Sequence, residues 1–236
     1  MSSPRPLQRM FEAVPPSYDL VNRLITLGMD RAWRRKAAKE CLAGSPVKVL
    51  DLCCGPADLA LLVARAAKEP AAVAGLDFSA PMLELAAGKL SKDRSAVPVG
   101  LVQGDASRLP FKDNSLDRVG IAFGFRNMTY KNPLAEAHLR EVNRVLAVGG
   151  RYVIVESSQP RSKILNRLFK LYCRTVVLRV GAAVSGNRSA YRYLSESVAD
   201  FFAPREVAEM LRRAGFRKVD YRPLFFGAAG IHTAHK

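Results

Sequence analysis

Short apolar runs, several of them ending in an acid, alternate with longer stretches patterned for helix along most of the chain. Val47–Leu52, Ala72–Asp77, Val97–Gln103 and Ser115–Phe123 read as strands, and Ala57–Ala67 and Ala80–Leu90 between them as helices. Pro133–Leu146 reads as a further helix with Leu134, Leu139, Val142, Val145 and Leu146 on one face, and Gly149-Gly150 is expected to stop it. Tyr152–Val155 is a fifth strand, apolar enough for burial on both faces. Pro204–Ala214 is helical again, and Phe216–Arg222 with Phe225–Ala234 are expected to close the sheet as a hairpin around Pro223. Repeated β-then-α units of this length predict a doubly wound α/β sheet.

Two segments fall outside this rhythm. Gln8 to about Lys39 predicts two amphipathic helices joined at Gly28, a cover for one face of the sheet or a wall of the site. Ser162 to about Val180 predicts a helix with Lys163, Arg167, Lys170 and Arg174 along one stripe. Ile164, Leu168, Leu171, Tyr172 and Thr175 lie along another, and a Gly/Ser-rich bend follows from Gly181 to Ser189. The chain is therefore read as a single domain, 1–236, with 1–40 a helical cover and 159–199 a basic insertion over the site.

The turn after the first strand carries the first chemistry. In Asp51-Leu52-Cys53-Cys54-Gly55-Pro56, Gly55 has no Cβ to keep a ligand from the backbone, and Pro56 tolerates a first helical position. Cys53 and Cys54 stand where a dinucleotide's pyrophosphate would need glycines, so NAD and FAD fit badly. S-adenosylmethionine has no phosphate and relies on acids placed after successive strands. Asp51, Asp77 and Asp105 occupy those places: Asp77 would accept from ribose hydroxyls, and the Asp105-Ala106 turn would face adenine. The alternative is that each Asp merely caps the following helix.

Composition narrows the partners. The chain has 236 residues, 49% of them apolar, enough for one core. It has no apolar stretch long enough to span a bilayer, and the first residues lack the apolar core of a secretory signal. Four cysteines show neither metal spacing nor a disulfide framework, so no metal is expected. The net charge is +16, and Gln159 to Tyr193 holds eight basic residues and no acidic one. That points to an anionic partner, a lipid surface or nucleic acid, with a solvated lid face or a contact with a second copy of the chain as alternatives.

With these pieces placed, the chain resembles the class I S-adenosylmethionine-dependent methyltransferases and, more narrowly, the ubiquinone/menaquinone biosynthesis C-methyltransferase family. The matching runs include Phe11 through Tyr18-Asp19, Leu50–Gly55 with Asp58-Leu59-Ala60, and Gly75-Leu76-Asp77-Phe78-Ser79. Gly104-Asp105-Ala106, Phe123-Gly124-Phe125-Arg126-Asn127, and Tyr193-Leu194 with Glu196-Ser197-Val198 match as well. The resemblance implies a Rossmann-like, mainly parallel seven-stranded sheet with helices on both faces and a closing antiparallel strand. It implies S-adenosylmethionine bound by Asp51, Gly55, Pro56, Asp58, Asp77, Phe78, Asp105, Ala106 and Ala122. It also implies a prenylated quinol ring met by Tyr18, Arg126 and Tyr193, with Arg126 and Asn127 at the reaction. Pro56 stands where the family usually has a hydroxyl residue, and Ala122 where some relatives have Ser.

C-methylation of a quinol is favoured by an ionised ring hydroxyl, and a phenol titrates near ~10 in water. Arg126 would favour the phenolate but stays protonated and is no direct base. Tyr191, Tyr193, His232 and His235 are rival acid/base candidates, with the histidines expected at the surface. A bilayer-resident substrate gives the basic 161–192 segment a purpose, so the implied location is the cytoplasmic face of a membrane, held peripherally. RNA methylation is the second reading, although no RNA-binding module is recognisable; a non-catalytic cofactor-binding protein is the third.

Overall fold

Five apolar runs lie side by side and run the same way. They are β1 (Lys48–Leu52), β2 (Ala72–Asp77), β3 (Val99–Gln103), β4 (Leu116–Ala122) and β5 (Leu146–Ser157). With β6 (Lys218–Leu224) and β7 (Ala229–His235) they form a seven-stranded sheet in the order β3-β2-β1-β4-β5-β7-β6. β7 is antiparallel to both its neighbours. The computed structural model describes residues 18–67, 72–95 and 97–236, the side chains of 18–21 and 185 excepted. The strand order reverses between β1 and β4, and an open α/β sheet leaves a crevice at the carboxyl ends of such a pair.

Side chains alternate across this sheet, and each face buries its own cluster. Leu50, Leu52, Ile121, Tyr152 and Ile154 face one way, against α6 (Ala135–Val145) and α10 (Pro204–Arg213). Val49, Val73, Val153 and Val155 face the other, against α2 (Met29–Cys41) and α3 (Asp58–Ala66). Full burial of one such side chain stabilises by about 1.5–3 kcal/mol, so these faces fix the register of every strand. α4 (Ala80–Leu90) follows β2, and α5 (Phe125–Thr129), a single turn not expected from the sequence, follows β4. α1 (Tyr18–Ile25) meets α2 at Gly28, as the pattern predicts.

The segment beyond β5 departs most from expectation. α7 (Lys163–Tyr172) continues through a π-helical turn, Cys173–Val177, into α8 (Leu178–Ser185), so Gly181 lies inside a helix. The bend is confined to Gly186-Asn187, where Asn187 accepts from the Ala190 N–H at 3.0 Å and starts α9 (Arg188–Ala199). The Tyr172 hydroxyl donates to the Ile25 carbonyl at 2.7 Å and ties this segment to α1.

Two turns also differ. Gly149-Gly150 does not end α6: the chain leaves the helix at Leu146, which pairs at once with Leu116, and the glycines take up a register shift inside β5. Pro223 is not the hairpin turn but a strand residue opposite Gly230. It is tolerated because β6 is an edge strand, and the turn is Phe225–Gly227.

Candidate active site

Both loops at the β1–β4 crevice hold a non-glycine residue in the left-handed region. Cys53 after β1 has φ 52°, and Phe123 after β4 has φ 63°. Gly124 is obligatory between them, since a Cβ there would sit 2.8 Å from the Cys53 Cβ. Asp77, at the end of β2 and nearly buried, fastens the neighbouring loop. Its Oδ2 accepts from the Gly55 N–H at 2.8 Å and its Oδ1 from the Ser79 N–H at 2.9 Å. Burial pushes its carboxyl up, opposed by the N–H groups of Ser79, Gly55 and Phe78.

A cavity opens beside this carboxylate, with about 440 Å³ of empty space including its mouth. Gly55 and Cys53 line it from β1's loop, Asp77 and Phe78 from β2, Ala122 and Phe123 from β4, and Asn127 from α5. A Cβ on Gly55 would meet only open space. With N–H groups of Gly55, Ser79 and Phe78 around it, Asp77 still has lone-pair capacity for a hydroxyl, so the acceptor suits a ribose.

The other strand-end acids sit around this cavity without lining it. Asp51 is buried and accepts from the Ala60 N–H at 2.9 Å, in the first turn of α3. Asp105 is exposed and accepts from the Ser107 N–H at 2.8 Å. All three carboxylates act on one group: burial first, then Asp77, Asp51 and Asp105, push the Cys53 thiol up. Pro56 is buried two residues before α3 rather than at its first position. Asp58 turns away to Lys89 Nζ at 2.7 Å, and Ala106 packs on the β-sheet core. The Tyr18 side chain lies outside the described residues.

Burial pushes the Asp51 carboxyl up to about 8, despite the Ala60 N–H and the Arg34 charge. Its folded value lies above the ordinary 3.8, so its contribution to stability is full below about pH 4 and is lost as pH rises toward 8. Asp51→Asn keeps an acceptor for Ala60 and has no proton to lose. Thermal melts should therefore show it gaining on the parent between pH 5 and pH 8, by on the order of a few kcal/mol. A difference independent of pH would contradict the assignment.

A second, larger cavity shares two walls with the first, Phe123 and Asn127. It holds about 980 Å³ of empty space including its mouth. Ile25 and Thr26 line it from α1, Trp33 from α2, Val177 from the π turn, Tyr191, Tyr193 and Leu194 from α9, and Ala228 and Ala229 from the hairpin. Arg126 enters it almost fully buried, with a guanidinium nitrogen donating to Ser197 Oγ at 2.6 Å and to Asn127 Oδ1 at 3.1 Å. Its Nε lies 3.8 Å from Glu156 Oε1 without a hydrogen-bond partner. The guanidinium stands 5.9 Å from the Tyr193 ring centre, and the Tyr193 hydroxyl donates to Asn127 Oδ1 at 3.5 Å. Arg34, paired with Asp30, lines the same cavity and covers the Phe123 ring at 5.0 Å.

Sequence reasoning missed Glu156. It is buried at the end of β5, and its Oε2 accepts from the Arg126 N–H at 2.9 Å. The signal was available, since Glu156 is one more acid directly after an apolar strand. Of the two terminal histidines, His232 was misplaced, while His235 is partly exposed. His232 is not a surface residue but buried on β7 against Tyr221, with ring centres 4.6 Å apart, and burial pushes it down to about 4. Neither it nor His235, bonded to Asp220, lines either cavity. Among the described residues no cluster of His, Cys, Asp and Glu suits a metal.

The profile of the ubiE/COQ5 methyltransferase family matches residues 2–236. The chain belongs to that family. It is 44% identical over 231 residues to the demethylmenaquinone methyltransferase of Deinococcus radiodurans, covering 98% of this chain and 92% of that one. To the enzyme of the same name from Thermus thermophilus it is 41% identical, covering 96% of this chain and 100% of that one. Among solved structures the [4+2]-cyclase SpnF superposes with a TM-score of 0.68 at 18% identity, covering 98% and 95% of the two chains. That likeness establishes the Rossmann-like fold alone, and a fold shared with a cyclase leaves the chemistry to the site.

Proposed function

We propose that this methyltransferase moves a methyl group from S-adenosylmethionine to a ring carbon of a prenylated quinol in menaquinone biosynthesis, demethylmenaquinol in the first instance. The observation that carries the reading is the junction at Phe123 and Asn127. It joins a small cavity walled by Asp77 to a larger chamber into which the Arg126 and Arg34 guanidinium groups are buried. The names of the relatives above support the same substrate.

The donor supplies an electrophilic methyl on a sulfonium; the protein supplies position and charge. Asp77 holds the ribose, with Gly55, Phe78 and Ala122 forming the walls beside it. Asp51, Asp105 and Ala106 shape the loops around them, and Pro56 and Asp58 act only through the start of α3. Orientation of this kind is worth roughly 7–11 kcal/mol of barrier. Arg126 lowers the cost of an ionised ring hydroxyl in the chamber. Burial pushes the Tyr193 hydroxyl up, so Tyr193 offers a neutral hydrogen bond rather than a second charge.

No helix among the described residues is long and apolar enough to cross a membrane. The proposed approach to the substrate is peripheral, at the cytoplasmic face, with basic residues of 161–192 each gaining about 1 kcal/mol near anionic lipid. Methyl-labelled donor incubated with demethylmenaquinol, and separately with RNA, tests the substrate. Label should enter the quinol alone; label in RNA alone would replace this reading.

A further inference from the structure

α7 is amphipathic, yet none of its residues is buried. Ile164, Leu168 and Leu171 recur at helical spacing along a face open to solvent, with Ile164 71% exposed. Lys163, Arg167 and Lys170 form a row about a quarter-turn away, beside the apolar face. A soluble helix ordinarily turns such an apolar stripe inward.

Two other segments present apolar side chains in the same neighbourhood. At the β6–β7 turn Phe225 and Phe226 both have positive φ, 42° and 55°, rare for bulky residues, and Phe226 is 78% exposed. This turn touches the chain just before α7: a Cβ on Gly227 would lie 3.2 Å from the Pro160 Cα, and Asn166 of α7 donates to the Pro160 carbonyl at 3.3 Å. At the other end of α7, Tyr172 is bonded to Ile25, two residues before the 76% exposed Leu27. Each flank also lines the large cavity, through Ile25 on one side and Ala228 on the other.

From this placement we infer that the α7 face and the Phe225-Phe226 tip insert together into an anionic phospholipid surface, setting the mouth of the Arg126 chamber against the bilayer. The inference rests on the reading of a bilayer-resident substrate and adds the residues that enter the lipid. Charge complementarity selects the occupant. Arg161, Lys163, Arg167 and Arg174 are exposed around the apolar face, and among the described residues the only carboxylate paired with this stretch is Asp200, 3.3 Å from Arg174 and 3.8 Å from Lys170. A basic row beside an exposed apolar stripe is the composition of a helix lying in the interface plane. An isologous dimer would oppose these cations to themselves.

The test uses the full chain with phosphatidylglycerol-rich vesicles and pure phosphatidylcholine vesicles. The parent should sediment with the first and far less with the second. L168S/F226S should weaken that binding about tenfold or more. In F226W, emission in excess of the Trp33 background should shift to the blue and be quenched by brominated lipid. Binding without quenching, no binding, or an apolar face buried in a stable dimer would each overturn the inference. Turnover of a quinol with a truncated, water-soluble tail separates the two claims. If the parent and L168S/F226S methylate it equally while vesicles are ignored, only the insertion fails. If the parent cannot methylate it or the membrane-borne quinol, the functional reading fails too.

Discussion

Asp77→Asn should weaken S-adenosylmethionine binding roughly 100-fold, measured by calorimetric titration. The carboxylate is nearly buried and already accepts one backbone N–H on each oxygen, from Gly55 and Ser79. An amide offers one oxygen where the site needs two, so one N–H loses its acceptor and an NH₂ faces donors. Hydrogen bonds to a charged group are worth about 1.5–3 kcal/mol each, and a loss of about 3 kcal/mol is two decades in affinity. Part of the effect would come through the β1 loop, which Asp77 holds in place. Asp105→Asn is the control: that side chain is exposed and lines neither cavity, so its effect should be far smaller. Equal effects at both positions would remove Asp77 from its central role.

Arg126→Met should lower turnover by 10²–10³-fold and destabilise the fold by about 3–5 kcal/mol, because two roles end together. The chamber loses the guanidinium beside Tyr193, keeping Arg34, which is paired with Asp30, and Glu156 is left as a buried anion beside an apolar side chain. Arg126→Met/Glu156→Gln separates the roles. The amide still offers an acceptor to the Arg126 backbone N–H and carries no charge to strand. Urea melts should show much of the stability returning, while single-turnover rates stay low. A double variant that recovers turnover would mean that Arg126 serves only to neutralise Glu156.

What the sequence made legible follows from how local each signal was. The parallel strands are apolar on both faces and end in acids or small turns, so β2 and α4 were bounded to the residue. The place of Asp77 at a strand tip was readable for the same reason. Features decided by neighbours were not. Gly149-Gly150 reads equally well as a helix stop or a bulge, and only pairing of Leu146 with Leu116 decides for the bulge. Pro223 signals a turn unless its strand lies at an edge, as β6 does. Gly181 reads as a breaker until the Tyr191 ring is packed against it, where even a methyl group would clash at 2.1 Å. His232 seemed exposed because it lies near the chain end, yet β7 is threaded between β5 and β6. That Asp77 alone of the three acids faces the cavity depends on how each loop turns, which strand-end spacing does not encode.

The central claim is that two chambers meet at Phe123 and Asn127, one for the donor and one for the ring. A structure of the protein with S-adenosylhomocysteine tests it most directly. The account predicts a ribose hydroxyl on the Asp77 carboxylate and the sulfur directed past Phe123 toward Arg126. A ribose bound away from Asp77, or a sulfur pointing out of the crevice with Phe123 closing the passage, would contradict it.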